Sequence, residues 1–210
     1  MNGPLLDDLL DQLHGDPSRR IGGHLGISPD MTRLATDVAL RVLIGAAHHA
    51  VLDDEGARSL LATLEFDHRG IDPSNALATA IAGGGDGDAV LDRILQGHRA
   101  SAAHGVATAS GLEVDRSERL LRLLAPVVMA YLARRLFTSS EADGASTPHP
   151  SPDGLRSALA AEVEGLRERD GTPTPRDESL ADAEMPGLGD AGLGPLPVQT
   201  AEMRSPRPRI

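Results

Sequence analysis

Three arginines in the second half of the chain are spaced so that they could contact the phosphates of a nucleic acid together. Arg116, Arg119 and Arg122 follow one another at intervals of three residues, which places them along one side of a helix. A stripe of guanidinium groups suits phosphate oxygens, so these arginines are the candidate nucleic-acid contacts. Asp115 and Glu118 interrupt the same stretch, however, and acids among arginines are also typical of a salt-bridged, solvent-facing helix. Both interpretations remain open from the sequence.

A helix-turn-helix pattern surrounds those arginines and occurs a second time earlier in the chain. The pattern combines a small residue in the first helix, a glycine four residues later, an apolar residue after the glycine, and small or apolar positions in the second helix. The matching positions are Ile21, Gly22, Gly26, Ile27, Thr32 and Ala35 in the first copy, and Val106, Ala107, Gly111, Leu112, Ser117 and Leu120 in the second. Such a turn can leave the second helix free for the major groove of DNA, but it also suits plain helix packing.

No group of residues has the spacing of a catalytic, cofactor or metal site. The histidines include no pair at positions i and i+4, and the adjacent His48 and His49 would point apart on a helix. The glycines at 83–85 follow no predicted strand and precede no lysine, which is typical of a linker rather than a phosphate loop. No serine lies in a nucleophile elbow. The sequence therefore predicts a protein that is not an enzyme and has no cofactor or metal.

The composition favours a helical protein without a membrane span. The formal net charge is -11, which disfavours binding to DNA, and the absence of cysteine excludes disulfides. The N-terminal residues lack the basic segment of a secretory signal, and the longest uncharged apolar run, Leu123–Ala133, is about half as long as a transmembrane helix. We therefore expect a cytoplasmic protein. The apolar segment Leu123–Phe137, which ends in Arg134 and Arg135, is either a core helix or a helix at a membrane surface.

Two long segments of the chain share one pattern. Leu5–Val51 aligns without a gap with Val90–Leu136 at a constant offset of 85 residues. The paired positions include Leu6 with Leu91, Asp7 with Asp92, Leu10 with Leu95, Gly26 with Gly111, Asp30 with Asp115, and Leu43 with Val128. Leucines at helical spacing, separated by glycine and proline, predict helices in both segments. The sequence therefore predicts an all-α fold of two pseudo-repeated helical units with homeodomain-like, helix-turn-helix packing.

The character of the chain changes after Phe137, where serine, threonine and proline become frequent. The predicted order is a helical domain over residues 4–137, a linker over 138–153, an amphipathic helix over 154–170 and a disordered tail over 171–210. The apolar positions of that outer helix are Leu155, Leu159, Val163 and Leu166. A single amphipathic helix must bury its apolar face, so it either docks on the helical domain or binds a partner.

A family resemblance is carried by segments of the two aligned units. They are Leu5–Leu10, Gly22–Ile27, Glu55–Leu61, Gly111-Leu112 and Leu120–Pro126. In these segments the chain resembles the YidB-like family of bacterial domains of unknown function, also catalogued as domain of unknown function nine-three-seven. That family tends to carry proline in its first unit at the position equivalent to Pro126, where this chain has Arg41. The resemblance implies an all-α fold with a homeodomain-like motif, in which Leu123–Phe137 is the core helix of the second unit. It brings no established activity and no catalytic residues.

Two functional hypotheses of different classes follow. The first is a non-enzymatic protein-interaction or scaffold module with an apolar groove between the two units, where a protein partner or a second copy of the chain binds. The second is a DNA-binding protein that uses the helix-turn-helix-like motif and the arginines Arg116, Arg119 and Arg122. The surface around these arginines separates the hypotheses, because DNA contact requires all three to face solvent without a neighbouring carboxylate.

Overall fold

The computed structural model describes residues 5–142 and 150–169, and the side chains of all of these except 138–142. Every regular element in these ranges is a helix, so the predicted all-α class is confirmed for the described residues. The helices are α1 (Leu5–Leu13), α2 (Asp16–Leu25), α3 (Pro29–Ala50), α4 (Asp54–Phe66), α5 (Pro73–Ile81), α6 (Gly87–Leu95), α7 (Arg99–Ser110), α8 (Val114–Ala142) and α9 (Pro152–Arg169).

Short polar side chains begin three of the helices. The Ser28 hydroxyl accepts a hydrogen bond from the backbone N–H of Met31 at 3.3 Å, which caps α3. The Asp53 carboxylate accepts from the N–H of Gly56 at 2.7 Å and caps α4, and Asp72 caps α5 in the same way. These caps satisfy N–H groups that have no partner within the helix, so they fix where each helix starts.

Two glycines in the left-handed conformation end α2 and α7. Gly26 has φ 65° and Gly111 has φ 77°, a region in which a residue without Cβ is favoured. The next helices begin at Pro29 and Val114. The two glycines and the two helix starts keep the offset of 85 residues found between the aligned segments.

The close crossing of α2 and α3 explains the small residue that the helix-turn-helix pattern requires. A Cβ on Gly22 would lie 2.7 Å from Thr32 Oγ1, closer than real Cβ contacts allow. The Thr32 hydroxyl is fixed because it donates to the carbonyl of Ser28 at 2.8 Å. Any larger residue at position 22 would push the two helices apart.

The long helix α8 lies at the centre of the core. It packs against α3, α5, α6 and α7, and its Leu121, Leu124 and Val128 are fully buried. Most of the apolar side chains of Leu123–Phe137 are buried as well, which confirms the predicted core helix. Among the described residues, no helix is both long enough and apolar enough to cross a bilayer.

The proline inside α8 coincides with a close helix contact. Pro126 has no N–H, so the carbonyl of Arg122 loses its usual donor within the helix. The start of α6 lies against this carbonyl, and a Cβ on Gly87 would be 2.8 Å from Arg122 O. The absence of a side chain at Gly87 therefore lets α6 approach the backbone of α8.

The outer helix α9 docks on the helical body. It packs against α3 and α4, with Leu155 and Leu159 fully buried. Glu162 Oε2 accepts from the N–H of Leu5 at 2.7 Å, which ties α9 to α1. Both helices next to the predicted linker extend into it, because α8 runs to Ala142 and α9 begins at Pro152. The predicted disordered tail, 171–210, lies outside the described residues.

Candidate functional site

The two glycine turns lie side by side and form one surface depression of about 350 Å³, called here the turn depression. It is lined by Gly26, Ile27, Ser28 and Met31 from the first aligned segment and by Gly111, Leu112, Glu113 and Arg116 from the second. The structure thus brings together two parts of the chain that are 85 residues apart. The depression therefore lies between the first and the second aligned segment.

The lining of the turn depression combines apolar side chains with charged ones. Ile27 and Met31 are half-buried and Leu112 is buried. Leu34 lies one helical turn beyond Met31 on α3 and is 48% exposed, which is high for a leucine. Among the charged side chains, Arg116 Nε lies 3.5 Å from Glu113 Oε2. The depression therefore offers both apolar and charged contacts.

The three candidate arginines do not form a free basic stripe. Arg116 pairs with Glu113, and Arg122 Nη1 lies 3.3 Å from Asp88 Oδ2 of α6. Arg119 is exposed, and it has no ion pair with another side chain in the described part of the molecule. DNA contact would require all three arginines to face solvent without a neighbouring carboxylate, and this requirement is not met. A salt-bridged, solvent-facing helix describes this face better.

A charge network at the α6–α7–α8 junction explains the pairing of Arg122. Arg99, at the start of α7, bonds to Asp88, to Asp92 at 3.3 Å and to Glu118 at 2.8 Å. The hydrogen bond from Arg99 holds the pKa of Asp88 below its ordinary value, and Asp88 in turn raises the pKa of Arg99. The sequence did not single out Arg99, because its partners lie on two other helices, α6 and α8.

The apolar face of α9 is already occupied. Leu155, Leu159 and Leu166 are buried, and Val163 packs against the same core. In this arrangement the four side chains are not available to a partner, because α3 and α4 cover them. Of the two alternatives that the sequence left open for the outer helix, the structure shows docking on the body.

A second cavity lies between α5, α6 and the loop after α4, and sequence reasoning missed it. His68 in that loop is only 6% exposed, and neither ring nitrogen has a hydrogen-bond partner among the described residues. Burial lowers the pKa of His68, although Asp67 and Asp86 act in the opposite direction. The imidazole is therefore neutral at pH 7. His68 lies in a loop, so it belongs to no hydrophobic periodicity in the sequence that could have predicted its burial.

Acidic and histidine side chains do not gather into a metal centre in the described ranges. No three of them come together as a metal ion requires within residues 5–142 and 150–169. The adjacent acids Asp53 and Asp54 lie at the start of α4, where the Asp53 carboxylate caps the helix. Acids at these positions complement the helix dipole.

Comparison with known proteins gives one match. A family described as a bacterial protein of unknown function (DUF937) matches residues 7–135, which is more than half of the chain and includes both glycine turns. No curated protein and no solved structure matches the chain. The resemblance found in the sequence is confirmed, and the chain belongs to this bacterial family of unknown function.

Proposed function

We propose that this chain is a non-enzymatic protein-interaction module made of two pseudo-repeated helical units, and that its binding face is the turn depression. The observation that carries the proposal is the shared lining of the depression by both glycine turns. Ile27 and Met31 from one turn and Leu112 from the other contribute apolar side chains to its lining. Exposed apolar side chains that adjoin a concave surface are typical of protein contacts.

We propose a second copy of the chain as the partner. An isologous contact places the same surface on both sides, so the surface must complement itself. The lining of the turn depression includes both Glu113 and Arg116, and each can pair with its opposite across a two-fold axis. The exposed Leu34 adds an apolar contact beside the depression.

The oligomeric state of the full chain tests the proposal. Analytical ultracentrifugation over a range of concentrations should show a monomer–dimer equilibrium. Leu34→Asp should weaken the dimer by about tenfold or more, because a buried carboxylate is costly at a contact. Leu52→Asp is the matched control, since Leu52 is 60% exposed in the turn that follows α3 and should leave the dimer unchanged. A monomer at all concentrations would contradict self-association. Equal effects of the two variants would contradict the turn depression as the interface.

DNA binding is the weaker candidate, and the exposed Arg119 is what favours it. The pairing of Arg116 and Arg122 with carboxylates weighs against it, as does the net charge of -11. Fluorescence anisotropy of the full chain with a mixed-sequence duplex should show no binding at low salt. Binding that weakens steeply as salt rises, and that is lost on Arg119→Ala, would support this candidate instead.

A further inference from the structure

The loop between α4 and α5 buries a histidine whose polar atoms have no partner. His68 is buried, whereas its neighbours Asp67, Arg69 and Gly70 are exposed. Both ring nitrogens are sealed from solvent, and neither makes a hydrogen bond with a described residue. Buried polar atoms in folded proteins almost always have a hydrogen-bond partner, and an unpaired one costs free energy. The loop therefore holds this ring in an unfavourable environment.

The ring of His68 tolerates this environment only while it is neutral. A proton would turn its acceptor nitrogen into a second donor and would place a positive charge in the protein interior. Burying an unpaired charge is far more costly than burying a neutral polar group. Burial accordingly lowers the pKa of His68 below its ordinary value of 6.5. A loop conformation that brings the ring into water would restore that ordinary pKa.

The charged groups around His68 do not reverse this effect. Asp67 in the loop and Asp86 before α6 raise the pKa of His68, whereas Arg93 on α6 lowers it, and burial outweighs the two carboxylates. Neither carboxylate accepts a hydrogen bond from the ring, since both nitrogens lack a partner. Helices α5 and α8 contribute only uncharged side chains to the lining of the cavity beside the loop. A protonated His68 would therefore lack a hydrogen-bonded carboxylate in this conformation.

The charged residues of the loop contact the helical body at its surface. Arg69 Cζ lies 4.9 Å from the centre of the Phe137 ring on α8. Asp67 Oδ2 lies 3.8 Å from Arg93 Nη1, and both of these side chains are partly exposed. Surface contacts of this kind contribute little to stability. A segment held largely by one buried ring can open while the helices remain folded.

We propose that residues 67–72 form an acid-sensitive loop, which is closed while His68 is neutral and opens when the ring takes up a proton. Opening withdraws His68 and Ile71 from the cavity wall and exposes Val90 and Pro126 in its lining. This inference goes beyond the proposed interaction module, because the cavity and the turn depression share no lining residue. The open loop binds the proton more tightly than the closed loop does, so a fall in pH favours opening. The ratio of open to closed loops should rise by about three- to tenfold between pH 7.5 and pH 5.5, as expected for one proton.

Hydrogen exchange of the full chain measures this opening. The N–H groups of Asp67 and Ile71 are hydrogen-bonded to backbone carbonyls, so they exchange only when these bonds open. Their exchange, corrected for its intrinsic dependence on pH, should show the expected rise towards acid. His68→Phe and His68→Gln cannot take up the proton and should abolish the rise, whereas His104→Phe, at an exposed position on α7, should retain it. A rise that persists in both His68 variants would overturn the proposal.

Urea distinguishes opening of the loop from unfolding of the whole domain. Opening of the loop exposes little surface, so exchange at Asp67 and Ile71 should not respond to urea concentrations below the unfolding transition. Exchange at Leu43 in α3 and Leu124 in α8 should accelerate with urea, because these amides lie in the core helices. The same urea dependence at all four amides would mean that the domain opens as a whole, and the proposal would be wrong.

The protonation of His68 can also be followed directly in the unmodified chain. Its imidazole signals in NMR spectra are assigned by their loss in His68→Gln. They should titrate with a midpoint below 6.5, since the closed loop disfavours the proton. A midpoint at or above 6.5 would contradict a ring that is buried in its neutral form.

Discussion

Gly56 illustrates how a single position sets the angle between two helices. A Cβ on Gly56, in the first turn of α4, would lie 1.9 Å from the carbonyl oxygen of Ala50, whereas one on Gly45 in α3 would meet nothing within 4 Å. Gly56→Ala should lower the free energy of unfolding by about 1–3 kcal/mol, because the backbone of α3 must move. Gly45→Ala should raise it by about 0.5–1 kcal/mol. Urea denaturation followed by circular dichroism measures both, and similar values would contradict the backbone contact.

Tyr131 links the central helix to α1 through a hydrogen bond. Its hydroxyl donates to Asp8 Oδ2 at 2.8 Å, and burial together with Asp8 raises the pKa of Tyr131 from 10.0 to about 12. The folded protein therefore holds this proton more tightly than the unfolded chain does. The stabilising contribution is complete below pH 10 and is lost as the pH rises to about 12.

This tyrosine can be observed directly, because the chain has one tyrosine and no tryptophan. Ultraviolet titration of the folded protein should give a midpoint of about 12 for Tyr131. Asp8→Asn should lower the midpoint, since it removes a negative charge beside the phenol. Asp11→Asn is the control on the same helix and should leave the midpoint in place. A midpoint near 10 while the helical signal is intact would contradict the buried hydrogen bond.

Helix α9 shows which properties of a helix can be predicted from the sequence and which cannot. The spacing of Leu155 and Leu159 predicted an amphipathic helix, and the structure contains one at Pro152–Arg169. Periodicity reveals an apolar face but not the surface that covers it, so docking on α3 and α4 was not predictable. The pairing of Arg122 could not be predicted either, because its partner Asp88 lies on another helix. The His68 cavity was missed because loops and two helices form it together.

Replacing one buried leucine tests the docking of α9. Leu159→Asp should destabilise the protein by about 3–5 kcal/mol, because it removes apolar burial and places a carboxylate against α3 and α4. Hydrogen exchange of the α9 amides should then become fast. Ala160→Asp, at an exposed neighbouring position, should have little effect on either measurement. Equal exchange in the two variants would show that α9 does not depend on this contact.

At the scale of the whole molecule, the two aligned segments share one core. α3 of the first segment packs against α6, α7 and α8 of the second, and α5 packs against α8. The buried side chains of both segments belong to a single apolar cluster. The sequence offset suggested two units, but it did not show that each depends on the other for burial, because alignment compares positions and not contacts.

The shared core predicts that neither half folds alone. A fragment of residues 1–85 would expose the faces of α3 and α5 that contact α8, and a fragment of residues 86–174 would expose α8 and α9. Each should show weak helical circular dichroism, because isolated helices of this length are marginal in water. Mixing the two should restore most of the helical signal of intact 1–174 in an equimolar complex. Cooperative unfolding of either fragment by itself would instead mean that the two parts of the chain are independent domains.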